Sequence, residues 1–216
     1  MQIGHMRPAL LHPAGLRTLN RSEAWRMGNF SFERLAIPDL ILVRVRKFAD
    51  ARGHFLETFR KADFAEMGIG CDFVQENQAF SAQTGTIRGL HFQQPPHAQA
   101  KLVRVLRGVV YDAAVDLRRG SPTYGKWCGA QLTADGGEQI FVPAGFAHGY
   151  CTLEPDTLVA YKVDKYYAPQ SEAGIIWNDP AIGVDWSIPA DSVLVSDKDG
   201  KLPSLSSFST PFEMKA

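Results

Sequence analysis

Lys101 stands where an apolar residue belongs. In Lys101-Leu102-Val103-Arg104-Val105 it shares alternation parity with Val103 and Val105, so the three side chains leave a β-strand on one side. If the valines face a core, the lysine faces it too, and a charge is seldom buried without a partner or a task. Just upstream, Arg88-Gly89-Leu90-His91-Phe92-Gln93 sets an arginine and a histidine into a second β-like run. An all-β barrel with a polar, ligand-holding interior reconciles the two segments.

The rest of the chain agrees with that reading. The spacing predicts strands over 41–45, 101–106, 109–115, 139–142 and 157–163, punctuated by Gly108, Gly120-Ser121-Pro122, Asp135-Gly136-Gly137 and Pro143-Ala144-Gly145. A short helix is expected around Arg60 to Met67. With 19 Gly and 13 Pro the chain is turn-rich, which favours a sandwich or jelly-roll barrel over a helical fold. Residues 1–28 show no sustained period and read as an N-terminal extension, leaving 29–216 as a single domain, ample for one core. Lys+Arg and Asp+Glu balance at 23 each, so no basic field points to nucleic acid. No apolar run reaches the roughly 18 residues of a membrane span. No hydrophobic stretch of signal-peptide type opens the chain, and Cys71, Cys128 and Cys151 are odd in number and far apart, so free thiols in a cytoplasmic protein are expected.

Three further residues, beside Arg88 and Lys101, could carry chemistry. His91 alone is as readily a satisfied core imidazole as a base, but a cationic pocket formed with Arg88 and Lys101 would depress its pKa and leave it able to accept a proton. Tyr161, in Leu158-Val159-Ala160-Tyr161-Lys162-Val163, shares parity with Val159 and Val163, and a core tyrosine is the plainer reading. His148, in Pro143-Ala144-Gly145-Phe146-Ala147-His148-Gly149, resembles the metal-binding histidine of the second cupin motif. The His-x-His pair of the first motif is absent, since Phe92 and Gln93 follow His91, so no metal is expected.

Taken together, the segments from about Phe32 to Phe212 resemble the dTDP-4-dehydrorhamnose 3,5-epimerase family, cofactor-free sugar-nucleotide epimerases of the cupin superfamily. The landmarks are Ile37-Pro38-Asp39, Arg52-Gly53 with Phe55 and Glu57, Gln75-Glu76-Asn77, Arg88 to Gln93, Lys101 to Arg104, Val115-Asp116-Leu117-Arg118, Pro143 to Gly149, Tyr161-Lys162 with Tyr166-Tyr167-Ala168-Pro169, Trp177-Asn178-Asp179-Pro180 and Lys198-Asp199. The resemblance implies a cupin-type jelly-roll barrel with short peripheral helices. It implies His91 as general base, Asp199 as the carboxylate that orients it, Tyr161 as general acid and Lys101 as the cation at the developing enolate. Arg88, His148, Glu172, Lys198, Tyr167 and the triplet Gln75, Glu76 and Asn77 match substrate-binding positions. Arg52 and Glu57 match residues that reach the nucleotide across a homodimer interface. Glu76 and Gln78 stand where many members have aspartate and histidine, and the stretch from Gln75 to Arg88 is one residue longer than in many of them.

The implied substrate is a dTDP-linked 4-keto-6-deoxyhexose, with no cofactor. Protons on C3 and C5 flank the C4 ketone and are acidified by it. A neutral histidine can remove one, a lysine can stabilise the enolate oxygen, and a tyrosine on the other face can return a proton with inversion. Single-carbon epimerases share most of these residues, so one or two epimerisations both remain open. A metal-dependent cupin enzyme and a non-catalytic nucleotide-sugar-binding cupin are the readings from other classes.

Overall fold

The computed structural model describes residues 24–214. Of the expected N-terminal extension, residues 1–23 lie outside the described residues. Ala24–Met27 form the first strand.

The strands are β1 (Ala24–Met27), β2 (Phe30–Arg34), β3 (Ile41–Val45), β4 (Lys47–Asp50), β5 (Gly53–Leu56), β6 (Gln75–Ser81), β7 (Ile87–Gln93), β8 (Lys101–Arg107), β9 (Val109–Asp116), β10 (Trp127–Thr133), β11 (Glu138–Val142), β12 (Phe146–Thr152), β13 (Thr157–Val163) and β14 (Glu172–Gly174). Among the described residues one α-helix, α1 (Lys61–Glu66), lies between β5 and β6. Seven strands form a sheet in the order β1-β2-β3-β11-β8-β13-β6, and five form a second in the order β10-β9-β12-β7-β14. β4 and β5 make a separate hairpin. The strand pairings are antiparallel, and the order interleaves distant strands as a cupin-type jelly roll does.

The alternation seen in the sequence decides which side chains meet. Val103 and Val105 of β8, Ile140 and Val142 of β11 and Val159 of β13 face Val110 and Ala114 of β9 and Tyr150 of β12 across the sandwich. The opposite parity, with Leu102 and Phe141, packs against Phe30, Phe32 and Phe64 of α1. Phe64 meets both Phe30 and Phe32 edge-on at 5.2 Å. The outer face of the smaller sheet is covered by the C-terminal segment through Ile175, Ile182, Trp186 and Phe212. Each such side chain taken fully out of water contributes about 1.5–3 kcal/mol.

One close approach sets the site. Gly89 has φ +140°, and a Cβ there would stand 2.6 Å from Gly149 Cα; a Cβ on Gly149 would stand 2.8 Å from the Arg88 carbonyl oxygen. Two glycines therefore let β7 and β12 run together, with His91 directly opposite His148.

Candidate active site

A cavity of about 540 Å³ opens between the two sheets, and Arg88, His91, Lys101, His148, Tyr150, Tyr161, Lys198 and Asp199 help to line it. A smaller lobe of about 250 Å³ is lined by Gln75, Asn77, Gln93, Gln99, Tyr167 and Glu172, and shares His91, Lys101 and Tyr161 with the first. These three shared residues come from β7, β8 and β13, so a histidine on one sheet faces a lysine and a tyrosine on the other.

His91 Nε2 lies 2.8 Å from Asp199 Oδ1. A carboxylate only accepts, so Nε2–H donates and Nδ1 is left free to take a proton. Asp199 sits in a tight turn, yet it is buried; Oδ2 accepts from the Gly89 amide at 3.3 Å, and its own amide donates to Ser196 Oγ at 3.1 Å. Burial pushes the His91 pKa below its usual value, Lys101 adds to that, and Asp199 opposes it. Burial brings Lys101 down to about 8, with Asp112 and Glu172 holding it up. Its Nζ donates to the His91 carbonyl at 3.4 Å. Burial raises the Tyr161 phenol, partly offset by Arg88 and a bond with Asn77. At neutral pH the cavity therefore presents a neutral imidazole, an ammonium and a protonated phenol.

The mouth is strung with polar contacts. Lys198 Nζ pairs with Glu172 Oε1 at 2.7 Å, the Tyr167 hydroxyl donates to Glu172 Oε2 at 2.8 Å, the Tyr167 amide donates to Gln75 Oε1 at 3.0 Å, and Gln75 Nε2 donates to Asn77 Oδ1 at 2.9 Å. Arg88 donates to Ser81 Oγ at 3.2 Å and to the Phe80 carbonyl at 2.9 Å.

Three expected site residues stand apart. Glu76 departs from the expectation: strand alternation turns it to the opposite face of β6 from Gln75 and Asn77, where it pairs with Lys162 at 3.0 Å and lies 4.0 Å from Arg104. Arg52 is at the tip of the β4–β5 hairpin with its side chain 90% exposed, paired with Asp50. Glu57 accepts from Asn29 at 2.9 Å and binds Arg60 at 2.8 Å, away from the cavity of its own chain. Sequence reasoning missed Asp112, whose two oxygens lie 2.9 Å from His148 Nε2. The signal was present: Asp112 shares core parity with Val110 and Ala114, as Lys101 does with its valines. Among the described residues, no three His, Cys, Asp or Glu side chains come together to hold a metal ion, and no helix is long and apolar enough to cross a membrane.

The family model described as dTDP-4-dehydrorhamnose 3,5-epimerase matches residues 34–207. A dTDP-4-dehydrorhamnose 3,5-epimerase of Sinorhizobium fredii is 49% identical over 182 residues, 84% of this chain and 93% of the relative. An epimerase of Legionella pneumophila, solved in complex with dTDP-4-keto-L-rhamnose, superposes with a TM-score of 0.82 at 37% identity, covering 87% of this chain and all of that one. A 3'-monoepimerase of Streptomyces bikiniensis, solved in complex with dTDP-quinovose, gives a TM-score of 0.74 at 32% identity, covering 81% of this chain and 87% of that one.

Proposed function

The chain belongs to the dTDP-4-dehydrorhamnose 3,5-epimerase family, which makes it an isomerase, and from that premise we propose that His91, Lys101 and Tyr161 epimerise dTDP-4-dehydro-6-deoxy-D-glucose at C3 and C5 to dTDP-4-dehydro-L-rhamnose. The observation that carries the assignment of roles is the arrangement of the shared cavity wall: a base on one sheet, an acid on the other, and a cation beside them. His91 Nδ1 takes the proton from the carbon next to the ketone. The C–H electron pair moves into a C=C bond, and the ketone oxygen becomes an enolate oxygen that Lys101 stabilises between the two sheets. Tyr161 gives its phenolic proton to the opposite face of the same carbon and regains one from solvent. His91 loses its proton to solvent, and the cycle repeats at the second carbon. Asp199 keeps the imidazole in the Nε2–H tautomer throughout. The chemistry asks for no metal, nicotinamide or other cofactor. A cytoplasmic enzyme without nucleic-acid or membrane partners belongs to the same proposal, and the balanced charge, which offers no basic field to nucleic acid, is in keeping with it.

Proton NMR in deuterium oxide with this substrate tests the reading. Deuterium is expected at both C3 and C5, with product inverted at both. Exchange and inversion at one carbon alone would assign the chain to the single-carbon type, for which the similarity to the Streptomyces bikiniensis monoepimerase is the supporting observation. No exchange at either carbon would remove the epimerase assignment.

Arg52 and Glu57 fit a homodimer whose sites are completed in trans. The β4–β5 hairpin projects exposed Phe48 and Phe55, with the Arg46 guanidinium 4.7 Å from the Phe48 ring centre, and carries Arg52 away from its own cavity. Co-expressed Arg52→Ala and His91→Ala chains should recover activity that neither variant has alone, because about a quarter of the sites in a random two-fold mixture are intact. A monomer at micromolar concentration in the ultracentrifuge, with full activity, would overturn the dimer.

A further inference from the structure

Asp112 carries a carboxylate that the His91–Asp199 chemistry does not use. It has no solvent exposure and lies on β9 in the layer of Val110 and Ala114. Such a group persists only where partners satisfy it, and removing its charge or its partner is costly. One partner is His148, whose Nε2 donates to both carboxylate oxygens at 2.9 Å. That leaves Nδ1 as the free ring nitrogen of a histidine lining the cavity directly opposite His91. The other is Lys101, which approaches from the facing sheet and lies within the field of the Asp112 charge. Both partners thus belong to the cavity wall, while Asp112 lies behind it.

We infer that Asp112 is a positioning residue of the reaction, fixing His148 in the tautomer that presents Nδ1 to the ketone end of the sugar and supplying the buried countercharge for the Lys101 ammonium. The inference rests on the epimerase reading. It gives the site two histidine–carboxylate pairs on adjacent strands with different duties: His91 moves the proton, and His148 and Lys101 receive the oxygen. The ionisable groups that share the cavity with Lys101 or bear on it are Arg88 and His91 on β7, Asp112 on β9, His148 and Tyr150 on β12, Tyr161 on β13, Tyr167 and Glu172 at the mouth, and Lys198 and Asp199 in the C-terminal turn. Burial lowers the Lys101 pKa to about 8, and Asp112 is the larger of the two opposing influences, ahead of Glu172. Loss of the Asp112 charge therefore lowers the Lys101 pKa further, and the alkaline limb of the rate profile, where the ammonium is lost, moves to lower pH.

Asp112→Asn keeps an oxygen that can accept from His148 and removes the charge; Asp112→Glu keeps the charge. Rates for both are measured across pH 6 to 10 beside melting temperatures. For Asp112→Asn, kcat at pH 8 should fall about 10- to 100-fold, with the alkaline limb displaced down by roughly one pH unit. For Asp112→Glu the limb should return towards its wild-type position. An Asp112→Asn limb that stays at the wild-type pH, or a loss of rate uniform in pH that tracks a lower melting temperature, reduces Asp112 to a structural carboxylate and overturns the inference. Nitrogen-15 NMR of the His148 ring in the wild-type protein is read without turnover: an Nε2–H tautomer supports the inference, and an Nδ1–H tautomer refutes it. Failure of the wild-type enzyme to exchange substrate protons would instead count against the epimerase reading, so the two failures are separable.

Discussion

His91→Ala is expected to abolish both turnover and solvent exchange at C3 and C5. Removing a general base typically costs about 10²–10⁴-fold, and more where water cannot replace it. The His91 site is of the second kind. The ring is held through Nε2 by a buried carboxylate, so one nitrogen is aimed and the other is fixed. A water molecule in the space left by the ring would have neither the basicity nor that alignment. Burial also lowers the imidazole pKa, so at neutral pH the wild-type group is already in its accepting form. Exchange followed by NMR is the decisive measurement, because it reports proton removal whether or not product forms. Near-normal exchange in the His91→Ala protein would overturn the mechanism while leaving the fold and the family untouched.

Tyr161→Phe is expected to separate two events that wild-type enzyme couples. Proton removal by His91 survives, so deuterium still washes into the substrate on the His91 face. Inverted product becomes scarce, with a loss of about 10²–10³-fold, because the opposite face has lost its donor. The phenol suits that role: burial raises its pKa, so it stays protonated until the enolate forms. Its ring packs against the core cluster and a phenylalanine fills the same volume, so the melting temperature should change little. A variant that inverts at the wild-type rate would return Tyr161 to the plain core role that its strand parity also allowed.

Much of this architecture was legible in the chain. The strand over 157–163 is found with the same ends, those over 101–106, 109–115 and 139–142 within one residue at an end, and the helix read as 60–67 forms over 61–66. Period-two alternation and turn residues are local signals, and antiparallel sheets preserve them. Lys101 was readable for the same reason, a charge at core parity. Asp112 gave the same local signal, but its partner His148 is 36 residues away, a separation at which no pattern links two side chains. Asp199 and His91 are 108 residues apart, and only the family resemblance joined them. Glu76 shows the opposite failure. The resemblance treated Gln75-Glu76-Asn77 as one unit, whereas alternation along β6 sends its middle member to the other face.

The chain of contacts from Lys198 through Glu172, Tyr167 and Gln75 to Asn77 changes what selectivity means for this enzyme. These groups already satisfy one another, so a sugar nucleotide held here, as the proposed reading has it, would compete with protein partners as well as with water. Affinity is then a difference between two sets of bonds, and a ligand gains only what its own donors and acceptors return after displacing the first set. A nucleotide sugar lacking one hydroxyl or one phosphate oxygen would then return less for the contacts it displaces. On the proposed reading the mouth would set a threshold: analogues with too few polar groups would be disfavoured by what they fail to replace, without a clash in the cavity.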